Sequence, residues 1–166
     1  GRRLMYWLCV DPGETTGWSL WKDGDLIFAD QTPMWEFIDK VDMTLRGPSS
    51  EAVARPGCGH IGIFTPDGEP VSLEAVVCED WQLYPWELQN LAWDKCRTAR
   101  AIGALTLLCR QHGVKLVFQG ADIKKGAQAA GAEALYLEPV HENRHANDSI
   151  QHGVFWLALN KGKAPS

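Results

Sequence analysis

Leu8-Cys9-Val10-Asp11-Pro12-Gly13-Glu14-Thr15-Thr16-Gly17-Trp18-Ser19-Leu20 is the stretch that decides how this chain folds. It closes an apolar run that starts at Leu4, and a run without polar alternation is the mark of a strand buried on both faces. Asp11-Pro12-Gly13 breaks that strand in a tight turn. Thr16–Leu20 then resumes as a second strand, antiparallel to the first. Asp23-Gly24 is a two-residue hairpin signal, and Leu26–Ala29 follows as a third strand.

Outward from this meander, Thr32-Pro33 reads as an N-cap and first helical residue before a helix over Met34–Leu45, with apolar positions at Met34, Phe37, Ile38, Val41 and Leu45. Residues 47–70 hold four prolines and five glycines and read as a long loop insertion, with a short hairpin around His60–Phe64. Ala75–Cys78 is a fourth, buried strand ending at Glu79-Asp80. The longest helix is expected over Glu87–His112, closed by Gly113. Lys115–Phe118 is a fifth strand, followed by a small-residue stretch around 121–134 and a last helix over Arg144–Leu159. Three strands in a meander, then alternating helices and strands, predict an α/β fold: a mixed sheet covered by helices.

With 166 residues and 18.4 kDa, the chain is expected to form one domain over 1–166. Apolar residues are 45% and charged ones 22%, the balance of a globular chain. The net charge of −5 argues at first against nucleic acid as a partner. The charge is unevenly spread: residues 1–80 carry 6 Lys/Arg and 14 Asp/Glu, whereas residues 81–166 carry 10 and 7. Five cysteines form no CxxC pair, and three lie in apolar runs, so a reducing compartment is expected and a disulfide framework is not. Cys58-Gly59-His60 lacks a second pair at zinc spacing and reads as ordinary loop. No apolar run approaches the ~18 residues of a membrane span, and no signal peptide is read before the first strand. The expectation is a soluble, cytoplasmic protein without a membrane partner.

Three carboxylates stand where buried elements meet solvent: Asp11 after the first strand, Glu79 after the fourth, Asp148 early in the last helix. Strands lying side by side would bring Asp11 and Glu79 to one sheet edge. Like charges that close raise each other's pKa unless a divalent cation compensates, and oxygen-rich sites suit Mg²⁺ or Mn²⁺. His145 shares a helix face with Asp148, and His141 and His152 extend it at i−4 and i+7. An imidazole there serves as a ligand or orients the attacking water. Taken singly, each acid also reads as a cap or turn residue.

Leu8 to Trp18, then Val76-Val77-Cys78-Glu79, then His145-Ala146-Asn147-Asp148 resemble, in that order, the RuvC-type Holliday junction resolvases. More narrowly, Val77-Cys78-Glu79-Asp80-Trp81-Gln82-Leu83-Tyr84-Pro85 is similar to the RuvC-like resolvases carried by bacteriophages. The resemblance covers nearly the whole chain outside 47–70. It implies an RNase H-like fold with sheet order 3-2-1-4-5, a homodimer, and cleavage of DNA phosphodiesters with two Mg²⁺ ions (or Mn²⁺). It carries the catalytic and metal-binding positions to Asp11, Glu79, His145 and Asp148. For a phage-encoded protein, the compartment would be the host cytoplasm.

Lys124-Lys125 resemble the lysines that the family places after the fifth strand to contact phosphate. The family's second such lysine has no counterpart, since residues 126–138 contain no basic residue. The aromatic that stacks on junction bases falls in a window offering Trp81, Tyr84 and Trp86, which does not single one out. Arg97 and Arg100 on the polar face of the long helix, and Arg144 beside the last one, complete the candidate DNA contacts, with a solvated helix face as the alternative for the first two. The wide apolar stripe of the long helix suits either a second subunit or a close helix–sheet contact. Trp7 and Trp156 read as core, and Trp93 as core or dimer packing.

The leading expectation is thus a metal-dependent, structure-selective endonuclease acting on branched DNA. Flap, fork or terminase-like cutting lies within the same class. A non-catalytic branched-DNA-binding protein is the reading from another class. Sugar-kinase/actin-like phosphotransferases share the Asp-x-Gly turn, but they need two such domains.

Overall fold

The computed structural model describes residues 6–47, 62–81 and 93–165. Its sheet has five strands in the order β3-β2-β1-β4-β5. These are β1 (Tyr6–Asp11), β2 (Thr15–Lys22), β3 (Asp25–Pro33), β4 (Leu73–Glu79) and β5 (Lys115–Gln119). β2 runs antiparallel to β1 and β3, while β1, β4 and β5 are parallel. The expected topology is the observed one.

β1 sits at the centre because Trp7, Leu8, Cys9 and Val10 are all buried, and only an inner strand hides both faces. Its alternation sorts the core. Leu8 and Val10 join Leu20, Val76 and Cys78 beneath the helices α1 (Met34–Arg46) and α2 (Trp93–His112), against Phe37, Val41, Leu105 and Cys109. Trp7 and Cys9 join Trp21, Ala75 and Val77 on the other face, under α4 (Arg144–Leu159) and the short α3 (Lys124–Ala129), against Ile150, Val154 and Ala127. Full burial of each such large side chain contributes about 1.5–3 kcal/mol.

Several boundaries move. β3 extends through Pro33, so Thr32 is a buried strand residue and not an N-cap. Its hydroxyl accepts a hydrogen bond from Trp18 Nε1 at 3.0 Å, and the cap position falls to Pro33, which has no side-chain cap bond. The Met34 amide is met instead by the carbonyl of Glu14 in the β1–β2 turn. The small-residue stretch folds as two 3₁₀ turns flanking α3. Trp156 is only partly buried; its Nε1 donates to the Lys163 carbonyl.

α4 spans the expected residues, and Gly113 ends α2 at φ +66°, where a side chain would be strained. The hairpin expected around His60–Phe64 lies partly outside the described residues; among those described, an isolated bridge joins Phe64 and Pro70. Cys58, His60, Tyr84, Trp86 and the stretch Glu87–Ala92, where the long helix was expected to start, lie outside the described residues. Cys9, Cys78, Cys96 and Cys109 are free thiols. No helix among the described residues is long and apolar enough to cross a membrane.

Candidate active site

The parallel register pairs Val10 with Cys78, so Asp11 and Glu79, each the next residue, leave the sheet at the same edge. α4 begins beside that edge, packed on the sheet face behind it, and adds His145 and Asp148. What lets it come so close is Gly17, which pairs with Asp11 across β1–β2 and lies against the backbone of His145.

α4 is anchored there by Gln31 of β3. The helix's own N-cap, Asn143, makes no side-chain cap bond. Gln31 Oε1 instead accepts from the amides of His145 and Ala146 at 3.2 and 3.4 Å, and its Nε2 donates to the Glu142 carbonyl at 2.7 Å. One amide side chain thereby satisfies orphan donors of the first turn and the carbonyl just before it.

Each acid is met by a nitrogen. His145 Nδ1 lies 3.0 Å from Asp11 Oδ2, and His152 Nε2 lies 2.9 Å from Glu79 Oε2. Asp148 Oδ2 is 3.5 Å from Lys124 Nζ, and its Oδ1 accepts from Gln151 Nε2 at 3.3 Å. Asp11 is the most enclosed, with its side chain 13% exposed. Burial pushes its carboxyl above the ordinary range; the hydrogen bond from His145 opposes this, and the charges of Glu79 and Asp148 add to it. Asp11 therefore feels both of the other acids.

Asp11, Glu79, His145 and Asp148 are thus brought together, and Lys124 joins them. Arg144, exposed, lines with Thr15, Gln31, His141 and His145 a cleft of about 530 Å³ on the outer side of His145. His141 lies in the turn before α4 and so does not extend the helix face; His152 does, but buried. Lys125 and Arg100 are exposed, and Arg97 pairs with Glu14 in the turn that follows Asp11. Trp81 is half-buried directly after Glu79-Asp80. Gln31, Gln119 and the pairing of His152 with Glu79 were missed by sequence reasoning. Only His152 carried a signal, its helical spacing from His145.

The chain matches the structure of T. thermophilus RuvC in complex with a Holliday junction substrate, with TM-score 0.57 and 17% identity over 98% of this chain and 100% of that one. It has the RuvC fold. A second Thermus thermophilus RuvC structure matches with TM-score 0.50 and 18% identity, over 98% of this chain and 100% of that one. No protein-family model matches the sequence, and no curated protein does. At these identities the likeness to RuvC is one of fold, and the chemistry rests on the side chains of this chain.

The donor set fits a hard divalent cation: three carboxylates, largely withdrawn from water, two of which push up the pKa of the third, Asp11, with an imidazole beside it. The donors are not drawn into a coordination group. Among the described residues no three His, Cys, Asp or Glu side chains form one. The nitrogens of His145, His152, Lys124 and Gln151 engage the carboxylate oxygens instead.

Proposed function

We propose that the protein is a divalent-metal-dependent, structure-selective endodeoxyribonuclease that resolves four-way DNA junctions, working as a cytoplasmic homodimer. The observation that carries this reading is the meeting of Asp11, Glu79 and Asp148, from β1, β4 and α4, at one edge of a RuvC-fold sheet. The narrower likeness of Val77–Pro85 to phage-carried resolvases belongs to the same reading.

Asp11, Glu79 and Asp148, with His145, would hold two Mg²⁺ ions, for which Mn²⁺ would substitute. Such ions polarise the phosphodiester and lower the pKa of a bound water. The protein's own share is binding and orientation. His145, bonded to Asp11, is placed to orient the water or complete the ligand set. Lys124, Lys125 and Arg144 offer charge to the DNA backbone at the acidic edge, and Arg97 and Arg100 extend it along α2. Trp81 and Tyr84, from the aromatic window after Glu79, would stack on unpaired bases. Leu107 of α2, 55% exposed, belongs to the dimer contact in this reading.

The test is cleavage of labelled four-way, three-way, flap, fork and linear substrates with Mg²⁺, alongside Asp11→Asn and Glu79→Gln. Paired nicks in the four-way junction are expected, abolished in both variants while junction binding survives. Preference for flaps or forks would replace the junction assignment. Binding without cleavage of any substrate, in Mg²⁺ or Mn²⁺, would make the chain a DNA-binding protein. Full activity in either variant would remove the active site proposed here.

A further inference from the structure

Glu79 is held by His152, and His152 in turn by Gln119. His152 stands one turn after Asp148 on α4 and is 1% exposed. Its Nε2 meets Glu79 Oε2 at 2.9 Å, and its Nδ1 meets Gln119 Oε1 at 2.8 Å. Gln119, 9% exposed, ends β5 and is the register partner of Glu79 across β4–β5. The ring is therefore bonded at both ends in a place closed to water.

As a neutral ring, the form taken here, His152 has one N–H and one lone pair, so it cannot donate to two oxygens. The oxygen and nitrogen of a glutamine amide exchange places by a half-turn of the terminal torsion. With the Gln119 nitrogen turned toward Nδ1, every group is matched. Gln119 donates to Nδ1, the ring hydrogen sits on Nε2, and Nε2–H donates to Glu79. An apolar residue at 152 would fill the space and leave both Gln119 and Glu79 without this partner.

The geometry points to Gln119 and His152 as positioning residues for Glu79: Gln119 selects the Nε2–H tautomer of His152, which then holds Oε2 of Glu79 and leaves Oε1 as the oxygen offered to a cation. This deepens the nuclease reading and rests on it. α4 would then serve both strand acids with one stripe, His145 on Asp11 and His152 on Glu79, seven residues apart. Partners of this kind fix a ligand's orientation, and their loss typically weakens metal binding about 10–100-fold.

Two measurements on the full chain test it. Nitrogen NMR of the wild-type imidazoles, without DNA, should find the His152 hydrogen on Nε2 with Nδ1 accepting. Any signal for a hydrogen on Nδ1 overturns the assignment. Mn²⁺ binding by calorimetry should weaken about 10–100-fold in His152→Leu and return to within a few-fold of wild type in His152→Gln, whose amide can still donate to Glu79. Equal binding in all three proteins, or equal loss in both variants, sinks the positioning role. Should His152→Leu fail to fold, the wild-type spectrum and the same binding measurement on Gln119→Leu, expected to weaken, decide the matter. A chain with the Nε2–H tautomer that cuts no branched DNA would defeat the nuclease reading alone. One with hydrogen on Nδ1 that still resolves junctions would defeat only the relay.

Discussion

Gly17 lies so close to His145 that a Cβ at position 17 would stand 1.8 Å from the His145 carbonyl oxygen and 2.1 Å from its carbon. Both of these are backbone atoms, so no rotamer change relieves the clash. The first turn of α4 would have to lift off β2, taking His145 away from Asp11.

Gly17→Ala is therefore expected to destabilise the fold by at least the ~1–3 kcal/mol typical of overpacking. Cleavage should fall further than the folded fraction, since the same displacement separates the two halves of the site. Gly103 supplies the control. It is exposed within α2 with nothing within 4 Å of its ideal Cβ, so Gly103→Ala should stabilise by about 0.5–1 kcal/mol. Urea unfolding of both variants reads the contrast, and a neutral Gly17→Ala would show that α4 is not set by this contact.

Gln31→Ala removes the cap that β3 lends to α4. Loss of a side-chain cap costs about 1 kcal/mol, and the Glu142 carbonyl loses its donor as well. Gln31→Glu keeps the acceptor for the His145 and Ala146 amides but turns an acceptor oxygen toward the Glu142 carbonyl, so it should recover only part of the loss. Denaturation midpoints rank wild type, Glu and Ala in that order. If Ala matched wild type, water would be serving the helix end equally well.

How much of this was legible in the sequence depends on where each residue's partner lies. β1 and β4 announce themselves because burial on both faces leaves an unbroken apolar run. Asp11 and Glu79 were found because each directly follows one. Thr32-Pro33 misled because a hydroxyl before proline has the local chemistry of a helix start, whereas its partner is Trp18, on the neighbouring strand. Gln31 and Gln119 left no trace: a glutamine has no spacing rule, and each acts through an element far away in sequence. His152 showed its helix face but not its partner, Glu79, 73 residues earlier.

Lys124 and Lys125 separate by their neighbours. Lys124 Nζ stands 3.5 Å from Asp148, while Lys125 is exposed beside it. Replacing either with Gln should weaken junction binding and reduce the slope of log affinity against log salt by about one. Lys124→Gln should in addition lower cleavage at saturating DNA, because it alone touches an acid of the site. Anisotropy titrations across a salt series, with single-turnover cleavage, check both. An unchanged slope in both variants would remove the lysines from the DNA contact.

Asp11 is expected to trade stability for chemistry. Burial, together with the charges of Glu79 and Asp148 and against the His145 hydrogen bond, holds its carboxyl above the ordinary value of 3.8. The folded chain thus binds this proton more tightly than the unfolded chain does. By linkage, the ionised group destabilises the fold at pH above its raised pKa, and that penalty disappears as the pH falls toward 3.8. Asp11→Asn removes the charge but keeps an acceptor for His145, so without divalent cations it should melt higher than wild type near neutral pH. The gap should close progressively in acid. Adding Mg²⁺ should raise the wild-type midpoint, since a ligand that binds only the folded state stabilises it, and should do so less in the variant, narrowing the gap from the other side. Thermal melts across pH, with and without Mg²⁺, decide it. Identical curves for the two proteins at every pH would mean that the Asp11 charge carries no cost in the fold.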